Sequence, residues 1–310
     1  MNTIKLKAYA KINLGLDVVR KREDGYHEVR MIMQTISLYD MISISLTNNS
    51  SIRVNTNLHY LPTNENNLVY KAAALIKNEF QIARGVYINL DKKIPVAAGM
   101  AGGSSDAATT LYGLNRLFDL NLSTEELMRL ALKLGADVPY CIMRGTALSE
   151  GIGEILTQLP PFPACHVLIV KPAVSVSTRY VYENLRLDEQ TKHPDINGII
   201  RHIEQRDLHG ATKLFGNVLE TVTEQEYPII THIKEKMLSL GAIGSLMSGS
   251  GPTVFGIFDN LKVAQRAFYQ FKVSAIGKQV YLTELYQPPY KVFSKSSDNN
   301  TVKMFINHGG

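Results

Sequence analysis

The N-terminal part of the chain alternates apolar and polar positions, a period of two that is typical of a β-strand. Residues 4–19 show this most clearly, with aliphatic side chains at every second position from 12 to 18. The charged stretch 20–25 then ends in Asp-Gly, which favours a tight hairpin turn. We therefore predict a second strand over 26–38, with the sheet continuing over 41–46.

Farther along, the apolar spacing changes between helical and strand periods. A polar loop rich in Asn and Thr follows residue 46, and Ser123-Thr-Glu-Glu126 has the sequence of a helix capping box. We predict, in chain order, a helix at 67–80, a strand at 86–91, a helix ending near 119, a helix from 123 to 134 that stops at Gly135, and a strand at 145–148.

A second block of elements begins at residue 166, where a buried-type strand is ended by Pro172. We predict strands at 166–171, 242–247, 253–258 and 279–284, and helices at 177–185, 195–205, 207–215, 227–240 and 261–271. Strands and helices in blocks, without strict alternation, favour the α+β class over a doubly wound sheet. We expect an N-terminal domain at 1–158, a C-terminal domain at 159–285 and a mobile polar tail at 286–310.

Composition narrows the class of protein. The chain has 310 residues, of which 45% are hydrophobic and 20% charged, enough for two packed domains. A net charge of +5 without a basic block argues against a nucleic-acid partner. There is no apolar run long enough for a membrane span and no signal-peptide pattern. Two cysteines without metal-ligand spacing suggest a reducing cytoplasm, so we expect a cytoplasmic protein without a membrane partner.

A small-residue turn at 95–105 joins a predicted strand to a predicted helix. Such a turn presents unpaired backbone N–H groups beside the positive end of the helix dipole, which makes an anion cradle. Its three glycines let a phosphate approach the backbone closely, and Ser104 and Ser105 add hydroxyls. The alternative is an ordinary helix N-cap formed by either serine. The turn is neither a Walker-type loop nor a dinucleotide fingerprint.

Four other positions carry candidate chemistry, each with a structural alternative. Lys11 and Asn13 lean to one face of the first strand, although a lysine in a strand is usually a solvated edge residue. Tyr26 lies at the mouth of the second strand, where it could simply pack on the sheet. Asp137 follows a helix end, where an aspartate is most often a turn or cap residue.

Three segments resemble the galactokinase, homoserine kinase, mevalonate kinase and phosphomevalonate kinase superfamily. Residues 95–106 read Pro-x-x-x-Gly-x-x-Gly-Gly-Ser-Ser-Asp, which is similar to its phosphate-binding motif. Residues 8–17 are similar to its N-terminal motif and 244–255 to its C-terminal glycine-rich motif. The pair at 100–101 is Met-Ala where Leu-Gly is commoner, a departure that keeps the size class.

Within the superfamily, three shorter stretches resemble the kinases that act on a cytidine diphosphate-linked methylerythritol. They are Ala-Lys-Ile-Asn-Leu at 10–14, Asp-Gly-Tyr-His-Glu at 24–28 and Gly-Ala-Asp-Val-Pro at 135–139. The resemblance runs in order from about residue 5 to about residue 285. It implies a two-domain small-molecule kinase fold, with an N-terminal mixed sheet plus helices and a C-terminal α/β sandwich.

The resemblance also implies ATP and Mg²⁺ as cofactors and assigns roles to individual residues. Asp137 would be the catalytic base, and Lys11 a cation beside the reacting phosphoryl group that keeps Asp137 ionised. Mg²⁺ would bind through Ser104 or Ser105, and the Gly249/Gly251 loop would close over the phosphates. The ATP-binding residues would be Pro95, Val96, Ala97, Ala98, Gly99, Met100, Ala101, Gly102, Gly103, Ser104 and Ser105.

For the acceptor, the resemblance implies that Asn13 helps to place the substrate. Tyr26 would stack on cytosine, His27 would meet its hydrogen-bonding edge, and Tyr182 would cover its other face, with surface packing as the alternative for Tyr182. The implied activity is ATP-dependent phosphorylation of the 2-hydroxyl of this small molecule in the non-mevalonate isoprenoid precursor pathway, by a monomer or homodimer.

Two other functions stay open at this point. One is a different kinase of the superfamily, such as a homoserine or mevalonate-type enzyme, against which Asp24-Gly-Tyr-His27 argues. The other is a non-catalytic relative that keeps the nucleotide cradle as a sensor. Such a protein should have lost Lys11 or Asp137, and both are present.

Overall fold

The computed structural model describes residues 2–288 and 301–302. The described residues form two compact units, and neither unit is continuous in sequence. The first unit contains 2–10, 38–96 and 101–143, and the second contains 11–37, 97–100 and the described residues from 144 onwards. The domain boundary at 158/159 stays a prediction. No helix among the described residues combines the length and the apolar character needed to cross a membrane.

The first unit combines a short mixed sheet with helices. Its elements are the start of β1 (Thr3–Lys21), the end of β2 (His27–Thr47), β3 (Ile52–Thr56), α1 (Leu68–Glu79), β4 (Gly85–Asp91), α2 (Gly102–Leu117), α3 (Thr124–Leu132) and α4 (Asp137–Met143). In this sheet β4 pairs antiparallel with β2 and parallel with β3. Aliphatic side chains of β2, β4 and α2 form the core, because their alternate or helical positions are fully buried.

Local sequence signals explain most of these boundaries. Asn67 caps α1 by accepting the N–H of Val69, and Ser123 with Glu126 forms the predicted capping box of α3. Two predictions were wrong. The polar loop after residue 46 contains strand β3, which exists because it pairs along β4. The segment after Gly135 forms the short helix α4, since proline is tolerated in a first helical turn.

The second unit contains two groups of strands and six helices among the described residues. Besides parts of β1 and β2, its elements are β5 (Thr146–Glu150), β6 (Ile155–Gln158), β7 (His166–Lys171), α5 (Thr178–Asn184), α6 (Ile196–Glu204), α7 (Leu208–Lys213), α8 (Glu220–Glu226), α9 (Ile229–Ser239), β8 (Gly244–Met247), β9 (Val254–Phe258), α10 (Leu261–Val273), β10 (Gln279–Glu284) and β11 (Thr301–Val302). One sheet has the antiparallel order β10-β7-β9-β8. Elsewhere β5 pairs with β2 and with β6, which also pairs with β11.

The predicted elements of this unit are confirmed to within one or two residues, but strand β6 and helix α8 were missed. Strand β7 explains the success, since its four central residues, Val167–Val170, are apolar and fully buried. The predicted mobile tail lies largely outside the described residues. At its start, the N–H of Tyr286 donates to the carbonyl of Thr35 at 2.9 Å. The predicted α+β class is confirmed.

Candidate active site

The small-residue turn before α2 has an unusual backbone conformation. Ala97, Gly99 and Ala101 all have positive φ, at 49°, 70° and 51°. Left-handed backbone costs a non-glycine residue about 1–2 kcal/mol, so the surrounding structure must enforce this shape. Ala101 is the N-cap of α2, and no side chain caps the helix. The alternative in which Ser104 or Ser105 caps α2 is therefore wrong, and the first N–H groups of the helix keep the arrangement of an anion cradle.

In the first unit, a buried ion cluster lies under this turn. Lys92 Nζ donates to Asp106 Oδ2 at 2.7 Å and also binds Asp40 Oδ2. Asp40 Oδ1 accepts the N–H groups of Lys93 and Ile94, just before the turn begins. Asp106 lies early in α2, just after the turn ends. The cluster of Asp40, Lys92 and Asp106 therefore joins the end of β4 to the start of α2.

Burial and mutual charge decide the protonation of this cluster. Burial by itself lowers the pKa of Lys92, but the two carboxylates reverse this effect and raise the pKa. Burial raises the pKa of Asp106 well above its usual range, against the opposing charge of Lys92. Within the described residues Asp106 Oδ1 makes no hydrogen bond. Two carboxylates share one ammonium here, so Asp106 takes up a proton more readily than an ordinary aspartate.

In the second unit, the middle of the turn is held by neutral contacts. The hydroxyl of Ser248 donates to the carbonyl of Gly99 at 2.9 Å, and the N–H of Lys11 donates to the carbonyl of Met100 at 3.2 Å. A Cβ at Gly99 would lie 1.9 Å from the carbonyl oxygen of Ser248. The structure thus brings the turn against the glycine-rich loop at 248–251, two motifs that the sequence singled out separately.

Lys11 and Asn13 form a buried pair on one face of β1, as the strand pattern predicts. Lys11 Nζ donates to Asn13 Oδ1 at 2.7 Å, and Asn13 Nδ2 lies 3.2 Å from the sulfur of Met31. Lys11 is only 5% exposed and Asn13 is fully buried. The alternative of a solvated edge lysine is therefore wrong. The amide of Asn13 fixes the ammonium, and its role in placing the substrate stays a prediction.

An aromatic pair lies where β2 begins. The rings of His27 and Tyr182 have their centroids 5.1 Å apart and are tilted by 43°. The pKa of His27 is lowered by partial burial and by the charge of Lys21, which favours the neutral imidazole at pH 7. Tyr26 next to it is 59% exposed, with its N–H bound to Asp24. The structure thus brings His27 and Tyr182 together although they are far apart in sequence, and Tyr26 is the chain neighbour of His27.

Asp137 belongs to the first unit and is the first residue of α4. It is partly buried, and the next residue, Val138, donates its N–H to the carbonyl of Gly135 at 3.1 Å. A helix start is a favourable place for negative charge because backbone N–H groups point towards it. The sequence placed Asp137 correctly after the end of α3 but missed that it opens a helix. Its predicted action together with Lys11 stays a prediction.

Comparison with known proteins now adds to this geometry. The model of the GHMP kinase N-terminal domain matches residues 67–145, and that of the GHMP kinase C-terminal domain matches 198–273. The chain is 64% identical over 287 residues to 4-diphosphocytidyl-2-C-methyl-D-erythritol kinase of Lachnoclostridium phytofermentans, covering 93% of this chain and 99% of that one. The chain belongs to the 4-diphosphocytidyl-2-C-methyl-D-erythritol kinase family of GHMP kinases.

Other members and solved structures agree with this family. A kinase of the same name from Lachnospira eligens is 56% identical and covers 93% of this chain and 100% of that one. A crystal structure of 4-(cytidine 5'-diphospho)-2C-methyl-D-erythritol kinase has a TM-score of 0.79 at 32% identity, covering 92% of this chain and all of that one. Homoserine kinase from Cytophaga hutchinsonii has a TM-score of 0.72 at 20% identity over 92% of this chain and 95% of that one, which shows a shared fold.

Family membership confirms several predictions. The chain is an ATP-dependent small-molecule kinase, a transferase with the two-domain GHMP kinase fold. The non-catalytic alternative is not favoured, since the chain matches named kinases over nearly their full length.

Sequence reasoning missed Asp40, Lys92 and Asp106 as a cluster. The signal was present only in part, since Asp106 directly follows the serines of the turn. Lys92 lies 14 positions from Asp106, and Asp40 lies 52 positions from Lys92.

Proposed function

We propose that this kinase transfers the γ-phosphoryl group of ATP to the 2-hydroxyl of 4-diphosphocytidyl-2-C-methyl-D-erythritol. The similarity to kinases of that name supports the acceptor, and the pairing of His27 with Tyr182 carries the proposal. These two residues are 155 positions apart by number, and a kinase for an acceptor without a nucleobase has no need of such a pair beside an exposed tyrosine. The activity belongs to the non-mevalonate route to isoprenoid precursors.

Cytosine recognition follows from the chemistry of the three side chains. Aromatic stacking of a base is worth about 1–3 kcal/mol and is blind to base identity. A neutral imidazole offers one donor and one acceptor, and the lowered pKa of His27 keeps it in that form near neutral pH. Tyr26 and Tyr182 therefore supply stacking surface, while His27 supplies the hydrogen bonds that distinguish cytosine.

The turn at 95–105 binds the ATP phosphates through its backbone N–H groups. Among the described residues no group of three or more His, Cys, Asp or Glu is arranged to hold a metal ion. Mg²⁺ in kinases is held largely by the nucleotide phosphates and water, with only one or two protein oxygens, so a single hydroxyl fits its needs. Ser105 is 2% exposed whereas Ser104 is partly exposed, and we therefore favour Ser104 as the protein ligand. When bound, Mg²⁺ neutralises phosphate charge.

Phosphoryl transfer requires positioning and charge stabilisation more than covalent chemistry. Asp137 accepts the proton of the acceptor's 2-hydroxyl. The hydroxyl oxygen forms a bond to the γ-phosphorus as the bond between the γ-phosphorus and ADP breaks. Lys11 stabilises the charge that develops on the transferring group. Asn13 holds the ammonium of Lys11 in place through their 2.7 Å hydrogen bond. The loop at 248–251 excludes water, which would otherwise compete as acceptor.

A coupled ADP-release assay with three acceptors tests this function. The purified chain is given ATP, Mg²⁺ and either the cytidine diphosphate-linked methylerythritol, homoserine or mevalonate. We expect rapid ADP release with the first acceptor only, and with Tyr26→Ala a larger rise in the KM for this acceptor than in the KM for ATP. Turnover of homoserine or mevalonate at a comparable rate would overturn the assignment of the acceptor.

A further inference from the structure

Asn217, a residue without a role in the sequence prediction, forms hydrogen bonds to the backbone of the glycine-rich loop. Asn217 is 5% exposed. Its Nδ2 donates to the carbonyls of Met247 and Gly249 at 2.9 and 2.8 Å, and its Oδ1 accepts the N–H of Leu219 at 3.0 Å. Both ends of the carboxamide are therefore engaged with backbone, and two of the bonds end on the segment that forms the loop at 248–251.

A second side chain of the same segment reinforces this hold. Glu220 Oε1 accepts the N–H of Met247 at 2.8 Å, so both backbone polar groups of Met247 are bound by side chains from 217–220. Lys234 Nζ donates to Glu220 Oε2 at 2.7 Å. Burial raises the pKa of Glu220, against the charge of Lys234. Met247, which directly precedes the loop, is thus fixed by the side chains of Asn217 and Glu220.

The same segment is bonded to the strand that carries Lys11. The N–H of Leu16 donates to the carbonyl of Gly216 at 2.9 Å, and the N–H of Val218 donates to the carbonyl of Leu16 at 3.0 Å. Asn217 therefore lies between β1 on one side and the loop at 248–251 on the other. That loop in turn binds Gly99 through the hydroxyl of Ser248.

We propose that Asn217 is a positioning residue for phosphoryl transfer. Its carboxamide fixes the loop at 248–251 against Gly99, and so sets the phosphate-binding turn relative to β1, which carries Lys11. All of these contacts lie within the second unit. The inference rests on the proposed role of the turn in binding ATP, but not on the identity of the acceptor. The side chain of Asn217 is hydrogen-bonded to backbone at both ends, so in this proposal it acts through the loop.

The test compares Asn217→Ala with a matched control, Asn115→Ala. Asn115 is 8% exposed and its side chain also bonds only to backbone, with Nδ2 donating to the carbonyl of Leu122 at 3.1 Å and Oδ1 accepting its N–H at 3.0 Å. It lies near the far end of α2, roughly 20 Å along the helix from Gly102. Both variants should lose stability. Any difference between them in affinity for the nucleotide is then an effect on the site and not a general structural cost.

Affinity for a non-hydrolysable ATP analogue, measured by calorimetry with Mg²⁺, is the readout. We expect Asn217→Ala to weaken binding about tenfold, because both hydrogen bonds that position the loop are lost. Asn115→Ala should change the affinity by less than about twofold at a similar loss of melting temperature. If Asn217→Ala does not fold, Asn217→Ser, which keeps a small donor, takes its place with a smaller expected loss.

The result that would overturn the inference is an Asn217 variant that melts earlier but binds the analogue as tightly as the wild type. Equal weakening by the Asn217 and Asn115 variants would overturn it as well, since it would mark a general structural effect. Because no acceptor is present, a wrong assignment of the acceptor would leave this measurement unaffected. The two proposals therefore fail separately.

Discussion

The ends and the middle of the turn at 95–105, which we propose binds phosphate, are held by opposite means. In the first unit the ends of the turn are held by buried charges, with Lys92 between Asp40 and Asp106. In the second unit the middle of the turn is held by neutral contacts, from the hydroxyl of Ser248 and the N–H of Lys11. The charged cluster at the ends depends on the balance of buried charges. The neutral contacts in the middle depend on the close approach of two backbone segments.

This difference determines how each support fails. Removing the single cation, Lys92, leaves two buried carboxylates without compensation, which costs far more than the bonds themselves. Removing one neutral hydrogen bond costs about 0.5–1.5 kcal/mol, but adding an atom where two backbones touch forces them apart. Only the charged support responds to pH. The variants below separate these behaviours, from the largest expected effect to the smallest.

Lys92→Met should have the largest effect on stability. It leaves the carboxylates of Asp40 and Asp106 buried without their cation, so the free energy of unfolding should fall by about 3–5 kcal/mol. Chemical denaturation at neutral pH measures this loss. Lys133→Met is the control, because its ion pair with Glu79 at 3.0 Å is exposed and should be worth no more than about 1 kcal/mol. Equal losses for the two variants would contradict a structural role for the buried cluster.

Gly99→Ala should have the next largest effect, and it acts on the neutral support. The left-handed backbone at this position costs alanine about 1–2 kcal/mol, and its Cβ would also lie 1.9 Å from the carbonyl oxygen of Ser248. Affinity for the ATP analogue should fall with stability.

Gly103→Ala is the matched control for that variant. Its Cβ would meet only Leu68, at 3.4 Å, and Gly103 lacks the positive φ of Gly99, so alanine meets no comparable strain. Gly103→Ala should therefore keep or raise the melting temperature. An unchanged melting temperature and affinity for Gly99→Ala would show that the contact with Ser248 does not hold the turn.

Asp106→Asn should have the smallest effect, seen as a change in pH dependence. The folded-state pKa of Asp106 is raised, so its contribution is most favourable at acidic pH and is lost as pH rises above about 3.9, the ordinary aspartate value. Asparagine does not titrate, so the variant should gain stability relative to the wild type between about pH 4 and pH 7. Urea unfolding of both proteins across this range measures the difference. Parallel curves would contradict the raised pKa.

The sequence predicted the features that local chemistry determines. The β1–β2 hairpin, the capping box at Ser123 and the glycine-rich turns depend on residues within a few positions of each other. Strand β3 was missed because its five residues become a strand only by pairing with β4. The alternative in which Ser104 or Ser105 caps α2 is excluded, because the left-handed Ala101 takes that position.

The supports of the turn were beyond sequence reasoning for a different reason. Asp40 and Lys92 look like ordinary surface charges in the sequence, Asp106 is only the last residue of the motif at 95–106, and only the fold makes the three buried partners. Asn217 lies in a stretch without a motif, yet it bonds to residues about 30 positions later. Motif positions thus indicate where chemistry occurs, whereas the side chains that hold those motifs in place require tertiary structure.

The most direct test of the whole account is the rate of phosphoryl transfer in Asp137→Asn. Asparagine has almost the same shape as aspartate and loses only the helix-dipole contribution of about 0.3–1 kcal/mol, so the variant should fold and should bind the ATP analogue with unchanged affinity. Single-turnover mixing with ATP and the cytidine diphosphate-linked methylerythritol should show a rate lower by about 10²–10⁴-fold, the usual contribution of a general base. A folded Asp137→Asn enzyme that transfers phosphate at the wild-type rate would contradict the account.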